Sequence, residues 1–129
     1  MNNYNDIQEP QFKDVLIKKP QSYRLPTLEL NGKWLSDLGF CIGDRVYANF
    51  QDGLLTLSTQ ETSQYNLGVL VVKAKRVRGR VRPQLFLNSI ILHRVGYNAY
   101  DRIGMTLYEG CIQMIKIPKI PSYRIPEAA

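Results

Sequence analysis

A mainly β fold with short helices, built from two tandem copies of one strand–strand–helix–hairpin unit, is what the sequence predicts. Three observations lead there: an internal repeat, stretches in which apolar residues alternate with others, and acid–glycine pairs placed where hairpins must turn. Laying residues 26–59 over residues 83–116, an ungapped offset of 57, matches nine of 34 positions. The identical pairs are Pro26/Pro83, Leu28/Leu85, Leu30/Leu87, Asn31/Asn88, Leu35/Leu92, Gly39/Gly96, Asp44/Asp101, Arg45/Arg102 and Gly53/Gly110. Roughly two matches are expected by chance at average residue usage. Searching for such self-similarity comes first, because it decides how every later motif is read.

Each copy opens on a short strand, Leu28 and Leu30 or Leu85 and Leu87. Asn31 and Asn88 suit helix N-caps, where a side-chain oxygen takes up a free backbone N–H. About two helical turns follow, over residues 33–38 and 90–95, and Gly39 or Gly96 supplies a left-handed stop. From Asp44 and Asp101 the period becomes two. Val46, Ala48 and Phe50, like Ile103, Met105 and Leu107, form the buried side, opposite Tyr47, Asn49 and Gln51 or Gly104, Thr106 and Tyr108. Asp52-Gly53 and Glu109-Gly110 make the turns, and Leu55 and Leu57 or Ile112 and Met114 return on the apolar side. A further strand precedes each copy, over residues 15–19 and 70–76. A unit of about 50 residues cannot bury its apolar face alone, so the two are expected to pack as a pseudo-dimer with approximate twofold symmetry. The organisation expected is a disordered segment 1–10, a first unit 11–62, a second, diverged unit 63–118 and a Pro-rich tail 119–129. The two units form one compact domain. The tail, with Ser122-Tyr123-Arg124, echoes Ser22-Tyr23-Arg24 and reads either as a vestigial third start or as an extended edge.

The 129 residues carry a formal charge of +6, distributed unevenly. Residues 1–10 carry −2, residues 11–62 balance, and residues 63–129 carry +8, an asymmetry that points to an anionic partner for one face. Apolar runs such as Gly68–Val72 are too short to span a bilayer, so no membrane partner is expected. The first residues have neither a basic nor an apolar export region, and Cys41 and Cys111 stand apart from any Cys or His cluster. Both observations suit free, mostly packed thiols in a cytoplasmic protein.

The first copy resembles the SymE-like toxin family, small bacterial proteins of the AbrB-type swapped-hairpin superfamily. The resemblance rests on residues 26–35, PTLELNGKWL, on Leu38-Gly39-Phe40, on Ile42-Gly43-Asp44-Arg45-Val46 and on Gly53–Leu57. It covers about a quarter of the chain closely. The second copy keeps the strand pattern and a Gly-Tyr, but has Ser89-Ile90-Ile91-Leu92 in place of Gly-Lys-Trp-Leu. The resemblance implies tandem AbrB-like units forming a pseudo-twofold β-barrel. It also implies nucleic-acid binding in a family associated with type I toxin–antitoxin modules, and a place in the bacterial cytoplasm or at the nucleoid. Tandem copies depart from the single-copy pattern of the family, and either a monomeric pseudo-dimer or a homodimer fits them.

Catalytic chemistry has little to stand on. His93 is the only histidine and aligns with Ser36, so no repeated general base exists. No cluster has metal-ligand spacing, and no phosphate-binding Gly-Lys-Ser/Thr is present, so neither metal nor cofactor is expected. Asp44-Arg45 and Asp101-Arg102 fit a repeated turn or ion pair better than an acid and phosphate clamp. The strongest functional signal is residues 73–82, KAKRVRGRVR, with six bases and no acid. An extended chain would place Arg76, Arg78, Arg80 and Arg82 on one side, and Gly79 would let it bend into a finger. Such an array neutralises phosphates and releases counterions. The candidate contacts are Lys73, Lys75, Arg76, Arg78, Arg80 and Arg82. Lys18 and Lys19 join them by aligning with Lys75 and Arg76, and Lys33 is an auxiliary contact. Tyr23, Tyr97, Tyr100 and Tyr108 read as core-edge residues before base stackers. The leading reading is a non-enzymatic nucleic-acid-binding protein, with DNA favoured over RNA on the resemblance. An RNA-cleaving toxin and a protein-interaction or antitoxin-like module are the alternatives.

Overall fold

The structure, a computed structural model, describes residues 10–19, 25–62 and 64–119. The expectations for residues 1–9, for Tyr23 and for the tail beyond Lys119 lie outside the described residues. The elements run β1 (Gln11–Leu16), β2 (Leu28–Asn31), α1 (Lys33–Asp37), β3 (Arg45–Gln51), β4 (Leu54–Ser58), β5 (Gly68–Val71), β6 (Lys73–Val77), β7 (Arg80–Leu87), α2 (Ser89–Val95), β8 (Arg102–Tyr108) and β9 (Cys111–Lys116). The fold is mainly β with two short helices, as expected. A six-stranded antiparallel sheet has the order β1-β8-β9-β4-β3-β5, and a three-stranded antiparallel sheet the order β2-β7-β6.

The pairings follow the 57-residue offset. At the centre of the large sheet Thr56 faces Gln113, its own counterpart, and Leu55↔Met114 and Leu57↔Ile112 exchange across that point. In the small sheet Glu29 faces its counterpart Phe86, flanked by Leu28↔Leu87 and Leu30↔Leu85. Each leading strand pairs with the hairpin of the other unit, β1 with β8 and β5 with β3. One apolar core joins the two units, with Leu35, Phe40, Leu55, Leu57, Leu85, Leu87, Ile103, Ile112 and Met114 fully buried.

The sheets do not close into the expected barrel. The large sheet ends at β1 and β5, each with a single neighbour. The reason lies at Ile17 and Val72, where the two leading strands end. Ile17 donates its N–H to the Asp101 carbonyl at 2.9 Å and accepts from Tyr100 N–H at 2.6 Å. Val72 donates to the Asp44 carbonyl at 2.9 Å and accepts from Gly43 N–H at 2.8 Å. With both backbone groups taken by a turn of the other unit, the chain leaves the ladder. The single strand expected over residues 70–76 is therefore two strands, β5 and β6, in different sheets. The first leading strand likewise ends at Leu16, short of the Lys19 expected. These contacts equate Ile17 with Val72, an offset of 55, so Lys18 corresponds to Lys73 and the expected match of Lys18 and Lys19 with Lys75 and Arg76 is corrected by two residues.

Helix starts differ between the copies. Asn88 Oδ1 accepts from Ile91 N–H at 2.9 Å and caps α2 as expected. Asn31 does not cap α1: it is the last residue of β2, its side chain bonds the Glu29 carboxylate, and Gly32 occupies the cap position without a side-chain bond. Trp34 accounts for the change. Its Nε1 donates to the Asn31 carbonyl at 3.0 Å, its ring lies under Lys13 Nζ at 4.7 Å, and a Cβ on Gly32 would sit 2.9 Å from its Cδ1. Gly-Lys-Trp is thus a packing device in which the indole folds back over glycine. Gly32 also has φ +132°, which L side chains rarely adopt. Gly32→Ala should therefore lower stability by about 1–3 kcal/mol, read as a fall in the thermal midpoint, with Trp34 fluorescence altered.

Tyr97 occupies the place of the fully buried Phe40, but its hydroxyl is buried without a hydrogen-bond partner, and burial pushes the phenol up to about 12. Tyr97→Phe should raise stability by about 1 kcal/mol, because an unpaired buried hydroxyl is removed. The phenol holds its proton more tightly in the fold than in the unfolded chain. The stability of the fold is therefore unaffected by this titration below pH 10 and falls as pH rises from 10 to about 12. Unfolding curves measured across that range should show the phenylalanine variant free of this loss.

Candidate nucleic-acid interface

The basic segment folds into the β6–β7 hairpin. Val77 pairs with Arg80 around a two-residue turn of Arg78 (φ 51°) and Gly79 (φ 80°), a bend at the glycine that the sequence anticipates. Both turn residues being left-handed matches the twist of the flanking strands.

Register decides which bases act together. Lys73 faces Gln84, Lys75 faces Arg82 and Val77 faces Arg80, whereas Arg76 faces Val81 and Ala74 faces Pro83. Directly paired residues share a side of the sheet. Pro83, Leu85 and Leu87 are buried, so their side looks into the protein and the other looks outward. The outward side carries Lys73, Lys75, Arg80 and Arg82, continued by Gln84 and Phe86 along β7 and by Asn31 and Glu29 on β2. Arg76 lies on the opposite side, and Arg78 stands at the tip. All four guanidinia on one side, expected for an uninterrupted strand, is therefore corrected. A two-residue turn pairs even-numbered residues with odd ones and so splits the row. Two lysines that a linear reading subordinates take the place of Arg76.

Lys18 and Lys19 are exposed and line a groove of about 650 Å³ with Glu29, Asn31, Phe86 and Leu25. They thus adjoin the outward side of the small sheet. Lys33 is exposed on α1 and does not line this groove. Of the six hairpin bases, only Lys75 pairs with an acid among the described residues, and that acid is Glu29. Glu29 also accepts from Asn31 Nδ2 at 3.2 Å. Phe86 and Gln84 are not among the contacts expected from sequence, and Asn31 is expected only as a helix cap. The alternation of Leu85 and Leu87 already places Phe86 on the other side of the strand; that this side is left uncovered is what the structure adds.

The other candidates take structural places. The Asp44 carboxylate accepts from Cys41 N–H at 2.8 Å and that of Asp101 from Asn98 N–H at 2.7 Å, closing matched turns. Arg102 pairs instead with Asp14 at 3.1 Å, and Asp101, 6% exposed, with Lys116 at 3.4 Å. His93 is exposed in the last turn of α2. Cys111 is half-buried, which raises its thiol pKa, while Cys41 is exposed and so not the packed thiol expected. Among the described residues no group of three or more His, Cys, Asp or Glu side chains could hold a metal ion, and no helix is long and apolar enough to cross a membrane. Comparison of the chain with protein families, with curated proteins and with solved structures found no match.

Among the described residues Glu29 is the one acid on the outward side of the small sheet, and its removal tests the field there. Glu29→Gln should release Lys75 and tighten binding of a polyanion about twofold to fivefold, the range of one exposed charge pair. Titration of heparin or duplex DNA at low salt measures it.

Proposed function

We propose that the chain binds nucleic acid without cleaving it, as a tandem relative of the SymE-like, AbrB-type swapped-hairpin proteins, with the β6–β7 hairpin on the phosphate backbone. The observation that carries this reading is the hairpin's charge: six bases within ten residues, one of them neutralised by an acid among the described residues. A backbone contact made by several unpaired cations releases several counterions, which gives sequence-tolerant affinity. The turn adds support. Arg78 holds a left-handed conformation that Asn, Asp or Gly adopt at lower cost, and Asp52 does so in the equivalent kind of turn at Asp52-Gly53. A costly residue kept at an exposed tip is better explained by contact with a partner than by folding.

The exchange of leading strands between the units suits the swapped-hairpin reading and a monomer that acts as its own dimer. The resemblance favours DNA as the partner. Lys18 and Lys19, on the groove beside the hairpin, extend the cationic surface, and Lys33 adds at most an outlying charge.

Replacing Arg76, Arg78, Arg80 and Arg82 together by Gln should weaken binding to duplex DNA by tenfold or more at low salt. It should also reduce the slope of log affinity against log salt by about 0.9 for each phosphate that is no longer neutralised, with the thermal midpoint little changed. Restoring Arg80 and Arg82 should recover more affinity than restoring Arg76, which stands on the other side of the hairpin. Unchanged affinity and slope in the fourfold variant would remove the hairpin from the interface.

A further inference from the structure

The outward side of the small sheet holds a group that phosphate binding does not use. Phe86 is 45% exposed, on the same side of β7 as Gln84, Arg82 and Arg80 and directly opposite Glu29 on β2. One row inward, Asn31, Gln84 and Lys73 lie across all three strands, and Lys75 lies beside Arg82 in the next. An aromatic ring, two amide-bearing side chains, four cations and the Glu29 carboxylate, which pairs with Lys75, thus share one sheet face, with Lys18 and Lys19 on the groove at its edge.

We propose that this face takes a single-stranded nucleic acid, with one base stacked on Phe86. This deepens the nucleic-acid-binding reading and rests on it. A ring on an open sheet can stack only on a base whose own face is free, which a duplex interior does not offer. Base–aromatic stacking beside a cationic track is the general chemistry of single-strand binding. Asn31 and Gln84 supply both donors and acceptors for a base edge next to the stacked ring. Lys73, Lys75, Arg80 and Arg82 supply the track, running from the ring toward the hairpin tip. Charge complementarity therefore selects a polyanion, and the aromatic selects one with unpaired bases. The same chemistry serves DNA and RNA strands, which differ here only at the 2′-hydroxyl.

Fluorescence anisotropy with a labelled 12-nucleotide DNA strand, the RNA of the same sequence and the blunt DNA duplex tests the inference. At least one of the two strands should bind more tightly than the duplex, and the tighter of them identifies the source. Phe86→Leu should lose about tenfold in affinity for that strand, with duplex affinity and salt slope unchanged. Phe86→Tyr, which keeps the ring, should retain wild-type affinity, and matching unfolding midpoints show that the sheet is intact. Full strand affinity in Phe86→Leu, or a duplex preferred over both strands, overturns the stacking site. If the arginine variants still weaken binding in that case, the backbone reading stands without it. If the wild-type protein binds none of the three, both fall.

Discussion

The fold depends on a reciprocal backbone exchange at Ile17 and Val72. Each residue ends a leading strand of one unit and gives its N–H to an aspartate carbonyl of the other, accepting an N–H from the residue just before that aspartate. Both side chains are buried, Ile17 at 0% and Val72 at 1% exposed, which contributes about 1.5–3 kcal/mol each. The aspartates can serve because their own carboxylates close the turns from within, on Cys41 and Asn98. Neither half can satisfy these groups by itself, so the two units are joined by the same bonds that shape them. The palindromic strand order of the large sheet follows, since β1 and β5 are each placed by the unit they do not belong to.

That dependence explains which parts of the molecule were legible in sequence. The period-two pattern from Ile103, the leucines of β2 and β7, and the Asn88 cap are local signals, and each stands where its spacing places it. In β3 Val46 and Ala48 are buried as expected, but Tyr47 is buried as well, edge-on to Tyr65, and Phe50 only in part. Asn31 failed as a cap because Trp34, three residues on, took its carbonyl and laid the indole over Gly32. This interaction is specific to one copy, and no average propensity contains it. The break at Val72 was invisible for another reason. Nothing in Leu-Val-Val-Lys marks the end of a strand, and the bonds that end it come from Gly43 and Asp44, nearly 30 residues earlier. Closure of the sheets into a barrel, implied by resemblance, was likewise a long-range property, and it gave way at these same two residues.

The candidate interface shows the same division. Composition alone marks the basic stretch, and a glycine in its middle marks the bend. What it cannot supply is parity. The alternation of Arg76, Arg78, Arg80 and Arg82 holds along one strand, but a two-residue turn reverses which residues share a side. The cations that cooperate are therefore Lys73, Lys75, Arg80 and Arg82. Phe86 stands where the alternation of Leu85 and Leu87 places it, away from the core; that nothing in the fold covers this side is a long-range property that the alternation does not carry.

The two copies have parted where the shared constraint releases them. Core-facing positions in the central pairings stay apolar, as Leu55 and its counterpart Ile112 or Leu57 and Met114, whereas outward ones differ, as Thr56 and Gln113 or Glu29 and Phe86. After Val72 the second copy runs out along β6, past the edge of the core, and Lys73, Arg76, Arg78 and Arg80 are exposed. Cations there escape the desolvation that a buried charge incurs, and their mutual repulsion is eased by solvent rather than by acids. Glu29 is the exception, and it stands on β2, whose place is dictated by pairing with β7. The repeat thus supplies a symmetric frame, and the charge of the molecule accumulates on the one hairpin that extends beyond it.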